Sequence, residues 1–204
     1  MLRTPCLAVL AAAALPILAC AQPADSGDWI VRVRATHLQP RNDDGTGLGL
    51  SINAKTLPEL DITAFLTPQV ASELVLTYPQ RQTISAGGAR IGSLKHLPPM
   101  LTLQYHVLGM GPWRPYLGAG VNWTHFSDVA FDAATTQALH PTIAKDSFGP
   151  VLQAGADLPL GRGWLLNADA KRAWIATDVK SSGTKVGTFR IDPWLLSVGV
   201  GYRF

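Results

Sequence analysis

His125-Phe126-Ser127, followed by Asp128, sets a base beside a nucleophile. Residues two apart share one face of a β-strand, so His125 and Ser127 would stand side by side, and a histidine so placed can activate a serine hydroxyl against an ester. The sequence fixes no third member, and such sites are defined by geometry. The competing reading is a pair of interfacial residues at the root of a loop. Other chemistry-bearing patterns fall away on context. Gly45-x-Gly47-x-Gly49 lies in a polar stretch without a strand before it and a helix after it, so it is a flexible loop and not a nucleotide fingerprint. Asn122-Trp123-Thr124 has the form of a glycosylation acceptor but falls inside a strand-like segment. The five histidines show no metal-ligand spacing such as His-Glu-x-x-His, so neither metal nor cofactor is expected.

The charged residues say more, because of what alternates with them. Arg32 and Arg34 oppose Trp29, Val31 and Val33; Asp61 opposes Leu60 and Ile62; Glu73 opposes Leu74 and Leu76. Asp157, Asp169, Lys171 and Arg203 likewise sit opposite apolar neighbours. Charges of both signs on the inner faces of strands whose outer faces are apolar predict a paired network filling an interior, since burying them singly is costly. That network would close the interior instead of binding anything.

Eight segments can carry those faces. They run Trp29–Leu38, Leu57–Thr67, Val70–Tyr78, Leu97–Val107, Arg114–Phe126, Ser147–Leu158, Trp164–Ile175 and the terminal Pro193–Phe204. The last places Trp194, Leu196, Val198, Val200, Tyr202 and Phe204 on one face and Leu195, Ser197, Gly199, Gly201 and Arg203 on the other. An apolar outer face ending in aromatic residues at girdle height is what a spanning barrel strand needs. Turns near Pro68, Gly111 and Gly161 are short, whereas residues 39 to 56, 79 to 96, 127 to 146 and 176 to 191 form four long polar links. The expected fold is an all-β, eight-stranded antiparallel up-and-down transmembrane β-barrel, with short periplasmic turns and long extracellular loops.

Residues 1–21 carry Arg3, an apolar stretch from Leu7 to Leu18 and an Ala19-Cys20-Ala21 site, and read as a secretory signal peptide cleaved after Ala21, leaving residues 22–204 as the barrel domain. The apolar run is shorter than the roughly 20 residues of a spanning helix. Both cysteines, Cys6 and Cys20, belong to that leader, so the mature chain is expected to hold no disulfide and no thiolate metal site. Lys+Arg number 17 against Asp+Glu 14, too even a balance to suggest a nucleic-acid partner.

Several blocks in order resemble the outer membrane protein W family of Gram-negative outer membranes. They are Gly27-Asp28-Trp29-Ile30-Val31-Arg32, His96-Leu97-Pro98-Pro99, Arg114-Pro115-Tyr116-Leu117-Gly118-Ala119-Gly120-Val121-Asn122, Lys145-Asp146-Ser147-Phe148-Gly149, Trp164-Leu165-Leu166-Asn167, Asp192-Pro193-Trp194 and Gly201-Tyr202-Arg203-Phe204. The resemblance implies a porin-like channel that moves small hydrophobic molecules through an apolar lumen, among outer-membrane lipids and lipopolysaccharide. Candidate lining residues are Arg32, Arg34, Asp61, Phe65, Glu73, Met100, Gln104, Asp169, Lys171 and Leu195. Lys171 and Asp169 occupy positions where an apolar wall would be wanted. Leu48, Leu50, Ile52 and Leu57 are candidate apolar contacts at the first loop. Proline gives up a ladder donor, so His96, Pro98 and Pro99 mark a candidate lateral opening beside the fourth strand. Two other functions remain open. His125 and Ser127 resemble the site of outer-membrane lipid A deacylases, and the long loops suit a bacteriocin or phage receptor.

Overall fold

The computed structural model describes residues 29–204. The expected signal peptide, residues 1–21 with Cys6 and Cys20, lies outside the described residues. In chain order the strands are β1 (Trp29–Gln39), β2 (Asp43–Asp44), β3 (Leu50–Ile52), β4 (Lys55–Phe65) and β5 (Val70–Leu76). There follow β6 (Gln80–Ala86), β7 (Ala89–Leu97), β8 (Met100–His106) and β9 (Arg114–Phe131). A short helix α1 (Ala133–Leu139) leads to β10 (Pro141–Ile143), β11 (Asp146–Gly161), β12 (Trp164–Ala173), β13 (Ala176–Ser181), β14 (Thr184–Arg190) and β15 (Trp194–Arg203).

Eight of these strands close on themselves in the order β11-β12-β15-β1-β4-β5-β8-β9, with β9 returning to β11, and every pairing is antiparallel. They are the eight segments expected from alternation. Closure leaves no open edge in the spanning region, which lipid requires because it cannot hydrogen-bond a bare strand. Leu103, Leu117, Val121, Leu152, Leu196 and Val198 form an exposed apolar band on the outer wall. One rim of that band carries Trp164, Tyr202 and Phe204 in edge-to-face contact. The other carries Trp123 stacked on Phe148 and Arg172 held between Trp174 and Trp194. Two aromatic rims around an apolar band are the membrane-facing pattern of such barrels.

The long links between the spanning strands are themselves largely strand, which the sequence reading did not foresee. β3, β6, β7 and the upper end of β9 extend the barrel sheet beyond the aromatic rim, while β10, β13, β14 and β2 form a second four-stranded sheet. Their inner faces are largely apolar: Leu50, Ile52, Ile84, Leu94, Phe126, Val179 and Phe189 join one buried cluster with Leu38, Leu57, Val75, Met100, Val151, Ile175, Ile191 and Leu195. Burying these side chains is what holds the extensions up as strands. In bacterial barrels the short turns face the periplasm. That direction puts the extended end outside the cell.

Candidate functional site

Read upward from the short turns, the interior has three layers. Ile30, Phe65, His106, Arg114, Asp157, Leu165 and Arg203 border a cavity of about 190 Å³ at the lower mouth. Phe65 lies against the His106 ring at 4.8 Å and beneath the Arg203 guanidinium at 4.6 Å. It lines this vestibule, not an apolar passage.

Above it the bore is filled by charge. Arg32 sits between two acids: Nη1 donates to Asp61 at 2.9 Å, and Nε and Nη2 grip both oxygens of Asp157 at 3.1 and 2.6 Å. Arg34 Nη2 lies 2.8 Å from Glu59, 3.0 Å from Asp61 and 3.2 Å from Glu73. Lys171 Nζ reaches Asp169 at 2.7 Å and Glu59 at 3.4 Å. Neutral groups tie the ions together. Gln153 Nε2 donates to Glu73 and Asp169 at 2.8 and 2.7 Å, Gln104 donates to Gln153, and Tyr116 Oη donates to Asp169 at 2.8 Å. All three cations and the five carboxyl groups are buried.

The glycines opposite explain how so many long side chains fit. A Cβ at Gly201 would lie 2.8 Å from Arg32 Cγ, and one at Gly199 would lie 2.8 Å from Arg34 Cγ. The small residues of β15 are the space into which β1 folds its arginines. Sequence reasoning placed Arg32, Arg34, Asp61, Glu73, Gln104, Asp169 and Lys171 together on the inner faces, and the structure joins them in one network. It missed Glu59, and it did not single out the neutral linkers Gln153, Tyr116 and Asn167 among the inward-facing residues. The alternation of Leu57, Glu59 and Asp61 was the signal available for the first.

One rung higher the lining changes character. Leu38, Leu57, Val75, Met100, Val151, Ala173 and Leu195 are buried together, with Leu50, Ile52, Ile84, Leu94, Phe126 and Ile191 above. Met100, Leu195, Leu50, Ile52 and Leu57 are therefore in this apolar layer, as their types suggested. Leu48 is not. It is 44 % exposed on a turn between Gly47 and Gly49, both at positive φ, which carries its side chain away from the interior.

The wall of the apolar layer is broken between β5 and β8. β5 pairs with β8 up to Val75–Met100 and with β4 up to Leu60–Leu76, and pairing resumes only at Gln80–His96 between β6 and β7. Residues 77–79 and 98–99 belong to no strand. Pro98 and Pro99 have no N–H to offer across the break, while the Pro99 carbonyl still accepts from Trp123 N on the other flank. On the outer rim, His125 Nδ1 lies 2.8 Å from Asp146 Oδ1, which also accepts from Trp123 Nε1. Among the described residues no hydrogen bond joins His125 to Ser127, so the geometry supplies a carboxylate for the histidine without bringing the serine to it.

A family model for the OmpW family matches residues 25–204. The chain belongs to the OmpW family. Outer membrane protein W of Vibrio cholerae is 33 % identical, covering 100 % of both chains. The dibenzothiophene metabolism operon protein PahQ of Pseudomonas aeruginosa is 32 % identical over 62 % of this chain and 60 % of its own. Among solved structures, OprG of Pseudomonas aeruginosa superposes with a TM-score of 0.76 at 26 % identity, over 88 % of this chain and 96 % of that one. As an OmpW-family barrel the protein is integral to the Gram-negative outer membrane, with its apolar band against lipid.

Proposed function

We propose that this OmpW-family barrel passes small hydrophobic molecules through the outer membrane, taking them into the apolar layer from outside and releasing them sideways at the break beside Pro98 and Pro99. The observation that carries this reading is the sequence of layers: an apolar lining lies directly on a bore closed by buried ion pairs. A hydrophobic solute that reached the ion pairs would have to part charges in a dry interior, which is far more costly than leaving through a wall already lacking ladder bonds. The name of the PahQ relative, from an operon of dibenzothiophene metabolism, fits an apolar aromatic solute.

The test is entry of naphthalene into vesicles bearing lipopolysaccharide in the outer leaflet, measured with ion conductance and release of lipid A ester. Faster entry with little conductance supports the channel. Entry no faster than in protein-free vesicles sinks it and favours action through the extracellular extensions, as a bacteriocin or phage receptor. Ester release abolished by Ser127→Ala would instead establish the His125–Ser127 chemistry.

A further inference from the structure

Three polar side chains around the apolar layer are left without partners. Gln82 on β6 is fully buried, and neither its amide oxygen nor its amide nitrogen is hydrogen bonded. His96 on β7 is buried, and its Nδ1 is unpaired. Thr77 Oγ1, in the segment that borders the break in the wall, is the third. Gln80, by contrast, spends its amide on the Tyr78 carbonyl at 3.1 Å.

Register places the first two close together and inward. Gln80 faces His96 and Gln82 faces Leu94 across β6 and β7, so Gln82 and His96 are diagonal neighbours, about 7–8 Å apart in such a ladder. Ile84 and Leu94 flank Gln82, and Phe126 lies beside His96 across β9; all three belong to the apolar cluster. Buried polar atoms in folded proteins are nearly always paired, and an orphan on an apolar wall calls for an explanation. Structural need supplies none here, because an aliphatic side chain at position 82 would fill the same space beside Ile84 and Leu94.

We infer that Gln82 and His96 are the docking point for one uncharged hydroxyl on an otherwise apolar solute, so that the barrel favours alcohols and phenols over plain hydrocarbons. The inference rests on the channel reading above and deepens it. The chemistry of the donors selects the group. The glutamine amide offers a donor and an acceptor, and a hydroxyl answers both. His96, in the extension outside the membrane, is pushed down to about 4 by burial, with Lys55 nearby adding to it, and so is neutral and able to accept or donate through one nitrogen each. A carboxylate can only accept and would carry its charge into an apolar enclosure. Thr77 stands toward the break, where a hydroxyl leaving the pair would next find a partner. A site that hydrogen-bonds a hydroxyl discriminates against the analogue lacking it, because its own polar atoms then stay unpaired.

The experiment compares uptake of 1-naphthol and naphthalene by Gram-negative cells with an intact lipopolysaccharide layer, with and without the protein. Gln82→Leu should lower the naphthol-to-naphthalene rate ratio by about threefold to tenfold, the range of one neutral hydrogen bond. Gln82→Met serves if the leucine variant fails to show the heat-dependent gel mobility of a folded barrel. In lipid nanodiscs the Gln82 side-chain amide resonances, identified by their loss in the variant, should shift with 1-naphthol and not with naphthalene. If neither solute enters faster than in cells lacking the protein, the channel reading itself fails. If both enter faster but the ratio is the same in wild type and variants, or the amide resonances respond to neither solute, the docking point is overturned and the channel stands.

Discussion

Replacing Arg34 by methionine tests whether the ion pairs hold the bore closed. The guanidinium lies within 3.2 Å of Glu59, Asp61 and Glu73, 3.8 Å from Asp169, and donates to Asn167 at 3.2 Å. Methionine keeps most of the volume and removes the charge, leaving Arg32 and Lys171 to face five buried carboxyl groups. Removing one partner of a buried pair typically destabilises by about 3–5 kcal/mol, because the remaining charge is uncompensated. The double variant Arg34→Met with Glu73→Gln removes one acid as well and should recover about half of that loss, the two sites being in direct contact and so non-additive. The assay is urea unfolding from phosphatidylcholine vesicles followed by tryptophan fluorescence, with the slope against urea unchanged so that the midpoint reports stability. Conductance through the single variant should rise as the packing around Glu59 and Glu73 loosens. A single variant within about 1 kcal/mol of wild type, the range of exposed pairs, would refute the reasoning.

Further outcomes follow from other parts of the molecule. Pro98→Thr with Pro99→Thr returns two N–H donors beside the break, and each bond formed contributes about 0.5–1.5 kcal/mol; the barrel should be at least as stable and naphthalene uptake should fall. Gly201→Val, measured by heat-dependent gel mobility, should prevent folding, since even a Cβ there meets Arg32 and Leu165 side chains at 2.8 Å. In the first extension, burial pushes Asp44 up, but hydrogen bonds from the Thr46 hydroxyl and from the N–H groups of Thr46, Leu50 and Gly49 outweigh it and hold the carboxyl below its ordinary value. A depressed folded value means the anchoring is complete above the ordinary value near 3.8 and is lost as pH falls through the lower, folded one. Hydrogen exchange at Gly49 and Leu50 should therefore stay slow down to that range and quicken below it, while Asp44→Ala should make it fast at every pH.

Period-two alternation made the spanning strands legible, because lipid on one side and a closed bore on the other force opposite residue types onto successive positions. The same parity puts Arg32, Arg34, Asp61, Glu73, Asp169 and Lys171 on inward faces from the sequence alone. It failed for the extensions. In Gln80 to Ala86 only alternate residues face the interior, two of them are glutamines, and the outward ones are polar because water, not lipid, is outside. That removes the contrast on which the reading depended and makes a strand look like a loop. Leu48 failed for a different reason, since an apolar type says nothing about direction where flanking glycines set the turn. The break between β5 and β8 was half visible: Pro98 and Pro99 named one side, but the unpaired run of residues 77–79 emerges only from the register.

The charged layer holds three buried cations against five buried carboxyl groups, an excess of acid just above the vestibule that carries Arg114 and Arg203. With all five ionised, any thread of water that opens beside them is lined by a surplus of negative charge and turns anions back. Sodium and potassium would leak before chloride. The same sign faces the tail end of any amphiphile working its way down from outside, and a soap or bile-type anion meets repulsion where a neutral molecule meets only a closed door. A barrel that passes apolar solutes in the way proposed above would thereby hold back the anionic detergents that dissolve in the same places.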